Sequence, residues 1–294
     1  MTRFARTRWV VAAVVVSLLV TACAGGGGGG GGDGSGGDFS VFICEPQFLV
    51  PTNSNETCGS EVLHALFVGL VVYDPENSEP LYGEDSDRAL AESIESQDQK
   101  TWTITIKDGF TFHDGTPVTA QSFVDSWNYG AYGPNAQRNS YFYENIEGYD
   151  AVQCPDEECN KKPKTDEMSG LKAPDDRTLE VTLSAPFSQF PLTVGYTAFY
   201  PMPEAFFGKG GNKLREAPIG NGPFEMVGTW QHNRRIEVER YDDFGGEPAK
   251  ADGVTFKIYA EEDTAYNDLL AGNLDVMDQL PSEQIKSAQG QLGE

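Results

Sequence analysis

Positive charge is scarce in this chain: 21 lysines and arginines face 45 aspartates and glutamates, for a formal net charge of −24. With so few cations there is no basic stripe to follow a nucleic-acid backbone or an anionic lipid surface, so nucleic acid is not an expected partner. Histidine is scarcer still. His64, His113 and His232 are the only three, and they lack the spacing of a zinc-binding helix. A nucleophile elbow of the Gly-x-Ser-x-Gly kind is missing, as is a glycine-rich phosphate loop ending in Lys-Ser or Lys-Thr. The glycine-rich stretch Gly208–Lys213 follows no strand signal and reads as a surface turn. Acidic pairs are abundant in so acidic a chain, and adjacency alone does not make a glycosidase or other surface hydrolase of it. No enzyme chemistry and no cofactor are expected.

Long apolar runs are also lacking. The longest, Trp9–Val20, has twelve residues, against about 20 for a membrane-spanning helix. Preceded by Arg3, Arg6 and Arg8, it reads as an export signal. It ends in Val20-Thr21-Ala22-Cys23, which resembles the bacterial lipobox, whose cysteine carries a lipid and becomes the mature N-terminus. The expectation is a signal peptide over 1–22 and a lipid-anchored Cys23. Cleavage near Ala22 with a spare thiol is the other reading, disfavoured because a free extracellular thiol is reactive. Residues 23–38 are glycine-rich, have little to bury and read as a flexible tether. Beyond the signal, 18 basic residues oppose 45 acids, a net charge near −27.

Cysteines are few, and Cys44, Cys58, Cys154 and Cys159 remain once Cys23 is set aside. In an exported chain an even number points to disulfides, with three possible connectivities. Local pairing, Cys44 with Cys58 and Cys154 with Cys159, is preferred. A four-cysteine zinc site is the rival, and the 13 residues between Cys44 and Cys58 are too many for a zinc knuckle.

Strand and helix patterns interleave. "DFSVFICEP" is a strand stopped by Pro46. In "EVLHALFVGLVVYD", Val62, Leu63, Leu66, Phe67 and Leu70 recur at helical spacing and run into a short strand. Trp102, Ile104 and Ile106 alternate with threonines as a half-buried strand, and Phe110 and Phe112, between two Asp-Gly turns, are expected to form a second strand of a hairpin. Thr119 is placed to cap a helix that buries Phe123, Val124 and Trp127. Leu179, Val181 and Leu183 mark another strand. "IEVERYD" and "GVTFKIYA" mark two more, and "EEDTAYNDLLAGNLDVM" reads as helix, glycine stop and strand. The class is α/β. Tyrosines and phenylalanines cluster with asparagines in "NYGAYG", "NSYFYENIEGYD" and "VGYTAFYPMP", which favours at least one exposed aromatic wall for a ligand.

Together, "LFVGLVVYDPENSEPLYGE", "TWTITIKDGFTFHDGTPVTAQSFVDSWN", "VTLSAPFSQFPLTVGYTAFYPMPEAFF", "PIGNGPFEM" and "RYDDFGGEPAKADGVTFKIYAEEDTAYNDLLAGNLDVM" resemble the oligopeptide and dipeptide solute-binding proteins of ABC importers. The resemblance implies a type II periplasmic-binding-protein fold in its large three-domain form. The first lobe would take 39–73 and 173–277, the inserted second domain 74–172, and residues 278–294 would begin a second lobe that is otherwise missing, as in a fragment. It implies a monomeric receptor on the extracytoplasmic face of the bacterial membrane, held by the lipid on Cys23. Its partners would be a peptide ligand and ABC permease subunits. Other cargo on the same fold would be a nickel chelate, haem or a sugar oligomer. The ligand-contacting positions implied are Asn55, Glu56 and Thr57 in the first loop, Tyr143 as a cleft aromatic and Asn221 lining the cleft. That loop departs from the family pattern, having Leu49-Val50-Pro51 where Leu-Asp-Pro is usual.

Overall fold

The computed structural model describes residues 36–292, and these form one compact unit. The export signal, Cys23 and the tether up to Ser35 lie outside the described residues. Among the described residues, no helix is long and apolar enough to cross a membrane.

The first strand, β1 (Asp38–Ile43), stops ahead of Pro46 as its sequence demands. A loop then leads to α1 (Thr57–Leu66), which starts five residues upstream of its apolar stripe because Glu56 caps it. The Glu56 carboxylate accepts from the Gly59 N–H at 3.0 Å, satisfying one of the donors every helix start leaves open. Val62, Leu63 and Leu66 are fully buried, and Phe67 and Leu70 carry the same apolar face past the helix end. A short ribbon follows, β2 (Val72–Tyr73) against β3 (Pro80–Leu81).

Next comes an antiparallel sheet of β4 (Ala91–Glu95), β5 (Thr101–Ile106), β6 (Leu171–Lys172) and β7 (Thr178–Thr182), in the order β4-β5-β7-β6. Trp102, Ile104 and Ile106 are buried while Thr101 and Thr103 are exposed, the alternation of a half-buried strand. Helix α2 (Ala120–Ala131) belongs to the same core through Phe123, Val124 and Trp127. Thr119 is its N-cap, and its N–H donates to Ser122 Oγ at 3.2 Å. Burial of each of these large side chains contributes roughly 1.5–3 kcal/mol.

Phe110 and Phe112 are buried as expected, but they do not form a strand of a hairpin with β5. Their backbone pairs within its own short turn around Asp114-Gly115, with Phe112 N–H donating to Thr116 O at 2.8 Å and Val118 N–H to Phe110 O at 3.0 Å. The edges of β5 are already taken by β4 and β7. The domain break expected after Lys172 falls between β6 and β7, which are paired neighbours in this sheet.

The chain returns through β8 (Phe224–Met226), β9 (Arg235–Arg240) and β10 (Gly253–Ile258), which join β1 in a sheet ordered β1-β10-β9-β8. Strand β10 lies parallel to β1 and antiparallel to β9. Helix α1 covers this sheet, and Leu49, Val62, Leu63, Trp230, Ile236 and Val238 share one core. Helix α3 (Glu262–Leu270) ends near Gly272, whose φ of +73° only glycine adopts without strain. The chain then touches the free edge of β1, where Phe42 N–H donates to Val276 O at 2.9 Å. Helix α4 (Ile285–Leu292) follows.

Candidate functional site

The loop before α1 is held from two sides. Cys44 and Cys58 are joined in a disulfide with Cα atoms 5.6 Å apart, and Cys154 is joined to Cys159. Glu56 lies within 4.8 Å of both sulfurs of the first pair. The bonded sulfurs offer no thiolate to a metal, and the carboxylate serves as the helix cap, accepting also from Gln47 N–H at 3.1 Å.

The second hold is a buried polar network with the segment after α2. Thr52 Oγ1 donates to Gln137 Oε1 at 2.8 Å, and Arg138 N–H to Asn53 Oδ1 at 3.0 Å. Asn139 Nδ2 donates to the Pro51 and Ser54 carbonyls, each at 2.9 Å. Arg138 reaches Gln47 and lies over the Phe48 ring at 4.8 Å. Thr52, Ser54 and Asn139 are inaccessible to solvent, so these bonds form where an unpaired group would cost roughly 1–3 kcal/mol. Partners 85 to 91 residues apart carry no local sequence signal.

What the loop presents outward is short. Asn55 and Thr57 are exposed, and among the described residues the N–H groups of Asn55, Glu56 and Thr57 and the Asn55 carbonyl have no backbone partner. A rigid loop with open donors and an open acceptor can pair with another extended backbone.

The remaining two expected contacts lie elsewhere. Asn221 is fully buried and bonds the backbone of Val68, beyond the far end of α1 from Asn55. A ten-residue helix is roughly 15 Å long, so the two are not brought together. Tyr143 is no cleft aromatic in this structure. It is fully buried, its hydroxyl donates to the Ala198 carbonyl, and it packs so closely that a side chain at Gly130 would meet its ring. Burial raises its pKa far above that of an exposed tyrosine. Solvent-facing aromatics are found two residues away, where Phe142 stacks at 4.5 Å on both Tyr141 and Tyr196.

Beside the loop, Glu61 has its pKa raised to about 7 by burial first and then by the like charges of Asp278 and Glu56. Three carboxylates thus gather where α1 meets the segment following Met277.

The site is thus a disulfide-pinned loop with open backbone groups at the edge of an α/β lobe, bordered by three carboxylates. In comparison with known proteins, residues 87–294 match the model of bacterial extracellular solute-binding proteins, family 5. The periplasmic oligopeptide-binding protein OppA of Escherichia coli (strain K12) is 33% identical over 253 residues, covering 80% of this chain and 44% of that protein. The oligopeptide-binding protein OppA of Bacillus subtilis is 28% identical over 250 residues, covering 82% and 43%. Among solved structures, the unliganded open form of the murein tripeptide-binding protein MppA superposes with a TM-score of 0.76 at 25% identity, over 87% of this chain and 48% of that one. Haemophilus influenzae OppA in complex with RPPGFSPFR gives 0.73 at 25% identity, over 87% and 48%.

The chain belongs to the family 5 bacterial extracellular solute-binding proteins, which are binding proteins and not enzymes. It spans less than half the length of these relatives.

Proposed function

We propose that this chain supplies one wall of an extracytoplasmic peptide receptor serving an ABC importer, held at the bacterial membrane by a lipid on Cys23. The observation that carries this reading is the open backbone of Asn55–Thr57 on an immobilised loop. A peptide laid extended along it gains main-chain hydrogen bonds whatever its side chains, which suits a receptor of broad specificity. The relatives named for oligopeptide binding and the one crystallised with a nine-residue peptide support it. In this reading residues 39–73 and the return from β8 to Met277 form the first lobe. The insert begins near Asp74 and extends through β7, past the break first expected at Lys172. Residues 278–294 lead toward a second lobe matching the half of the relatives that this chain does not cover, and enclosure of the peptide as a monomer needs both lobes.

The test uses Thr57→Pro. Thr57 is the first residue of α1, where proline is tolerated, and Glu56 before it is already extended, with φ −129° and ψ 159°. The substitution removes one amide donor and leaves the helix intact. With the second lobe of a relative appended, calorimetry is expected to show micromolar oligopeptide binding, weakened about tenfold by Thr57→Pro, the equivalent of one good hydrogen bond. Absence of heat with every peptide, or equal binding by the variant, would overturn the reading. Mass spectrometry of the N-terminal peptide from a bacterial host checks the anchor: a diacylglyceryl-modified Cys23 is expected, and an unmodified mature N-terminus would refute it.

A further inference from the structure

The side of the inserted sheet carries a hollow that none of Asn55, Glu56 or Thr57 lines. It lies between the segment after α2 and the segment after β7, and these two are tied together by Ser184 N–H donating to Asn145 O at 2.8 Å and by a bridge between Ile146 and Leu183. Ile146, Leu183 and Phe190 form an apolar floor and are buried to within 2% of full occlusion. Phe142 forms a wall, immobilised by stacking on rings to either side at 4.5 Å. The open space is about 160 Å³, and an apolar cavity of roughly 150 Å³ takes a benzene ring.

The rim is polar and of one sign. Glu144 and Asn145 line the mouth, both are exposed, and neither side chain has a hydrogen-bond or ion-pair partner among the described residues. The framing stretches 139–160 and 183–208 contain seven acidic residues, Glu144, Glu147 and Asp150 nearest the mouth in sequence, and not one lysine or arginine. An aryl-sized apolar floor beneath an unpaired carboxylate, in a chain of net charge −24, fits one ligand chemistry: a small cation with an apolar ring.

We propose that this hollow, with Ile146, Leu183 and Phe190 beneath Glu144 and Asn145, binds an arylalkylammonium ion, its ring on the floor and its ammonium donating to the Glu144 carboxylate and Asn145 Oδ1. Charge-assisted hydrogen bonds of this kind are stronger than neutral ones, so charge as well as shape selects the ligand.

The experiment titrates 2-phenylethylammonium into isotopically labelled chain and follows backbone NMR shifts, with 2-phenylethanol as the neutral control of equal shape. Saturable shifts at Asn145, Ile146 and Phe190 are expected, with affinity falling about tenfold for the alcohol and about tenfold for Glu144→Gln. Glu144 is exposed, so the variant keeps the fold, and its undisturbed spectrum verifies this. No saturable shift at the floor residues, equal affinity of ammonium and alcohol, or undiminished binding by Glu144→Gln would each overturn the proposal.

Discussion

Asn221 stands beside Val68 as a neighbouring strand would. Its Oδ1 accepts from the Val68 N–H at 3.2 Å and its Nδ2 donates to the Val68 carbonyl at 3.1 Å, across 153 residues of sequence. The pair is buried, and it ties the stretch after α1 to the start of β8. The carboxamide completes a backbone that has no strand partner at that point. Asn221→Ala leaves a buried donor and acceptor unpaired and is expected to destabilise the fold by on the order of 2–4 kcal/mol. Chemical denaturation checks this; a change under about 0.5 kcal/mol, the range of an indifferent surface substitution, would mean the pairing contributes nothing.

His113 clamps the turn around Asp114 to the segment before β8. Its Nδ1 accepts from Gly220 N–H at 3.1 Å, which leaves the proton on Nε2, 3.1 Å from the Gly222 carbonyl. Burial pushes its pKa down to about 4. A histidine whose folded pKa is depressed contributes stability that is present above its ordinary value near 6.5 and is lost as pH falls toward 4. Between pH 7.5 and pH 4.5 the clamp is expected to lose on the order of 2 kcal/mol. His113→Gln should flatten that part of the pH profile in urea denaturation.

Glu61 titrates in the opposite sense. Its folded pKa, raised to about 7 by burial and by Asp278 and Glu56, exceeds the unfolded value, so its contribution is favourable at low pH and is lost as pH rises from about 4.5 through 7. Glu61→Gln removes the charge while keeping the shape. The variant is expected to be more stable than the parent at pH 8, with the difference shrinking toward pH 5. Parallel stability profiles for the two proteins would refute this.

The Cys44–Cys58 disulfide closes a loop with a sequence separation of 14, for which chain entropy alone predicts a contribution of roughly 3 kcal/mol. Cys154–Cys159, with a separation of 5, restrains the unfolded chain less, by about 2 kcal/mol. Double serine variants should therefore lower the denaturation midpoint more for the first pair. The first pair also borders the open backbone of Asn55–Thr57, so on the proposed reading its removal should weaken peptide binding by the form carrying a relative's second lobe beyond the stability effect, read by calorimetry on folded protein.

Much of the architecture was legible because its determinants are local. Alternation at Trp102, Ile104 and Ile106 places those side chains on one face of a strand, and helical spacing from Val62 to Leu66 makes one buried stripe. The capping role of Thr119 likewise depends only on its neighbours. Phe110 and Phe112 misled, since a period of two says which side chains are buried and not which backbone they pair with. Tyr143 misled for a related reason: a tyrosine among asparagines looks like a ligand contact until the chain folds over it and Ala198 accepts its hydroxyl.

The sequence by itself determined the α/β class, the burial face of each regular element and the preference for two local disulfides, because each follows from periodicity or from short loop closure. Family membership was carried by long motifs in the same way. Tertiary structure decided which polar groups are open. Thr52, Asn53, Gln137 and Asn139 lose their freedom to partners far away in sequence, Asn221 and Tyr143 are sealed inside, and Asn55–Thr57 keep backbone groups without a backbone partner at the surface. Hydrogen-bond satisfaction is a property of the whole packed chain, and no stretch of sequence contains it.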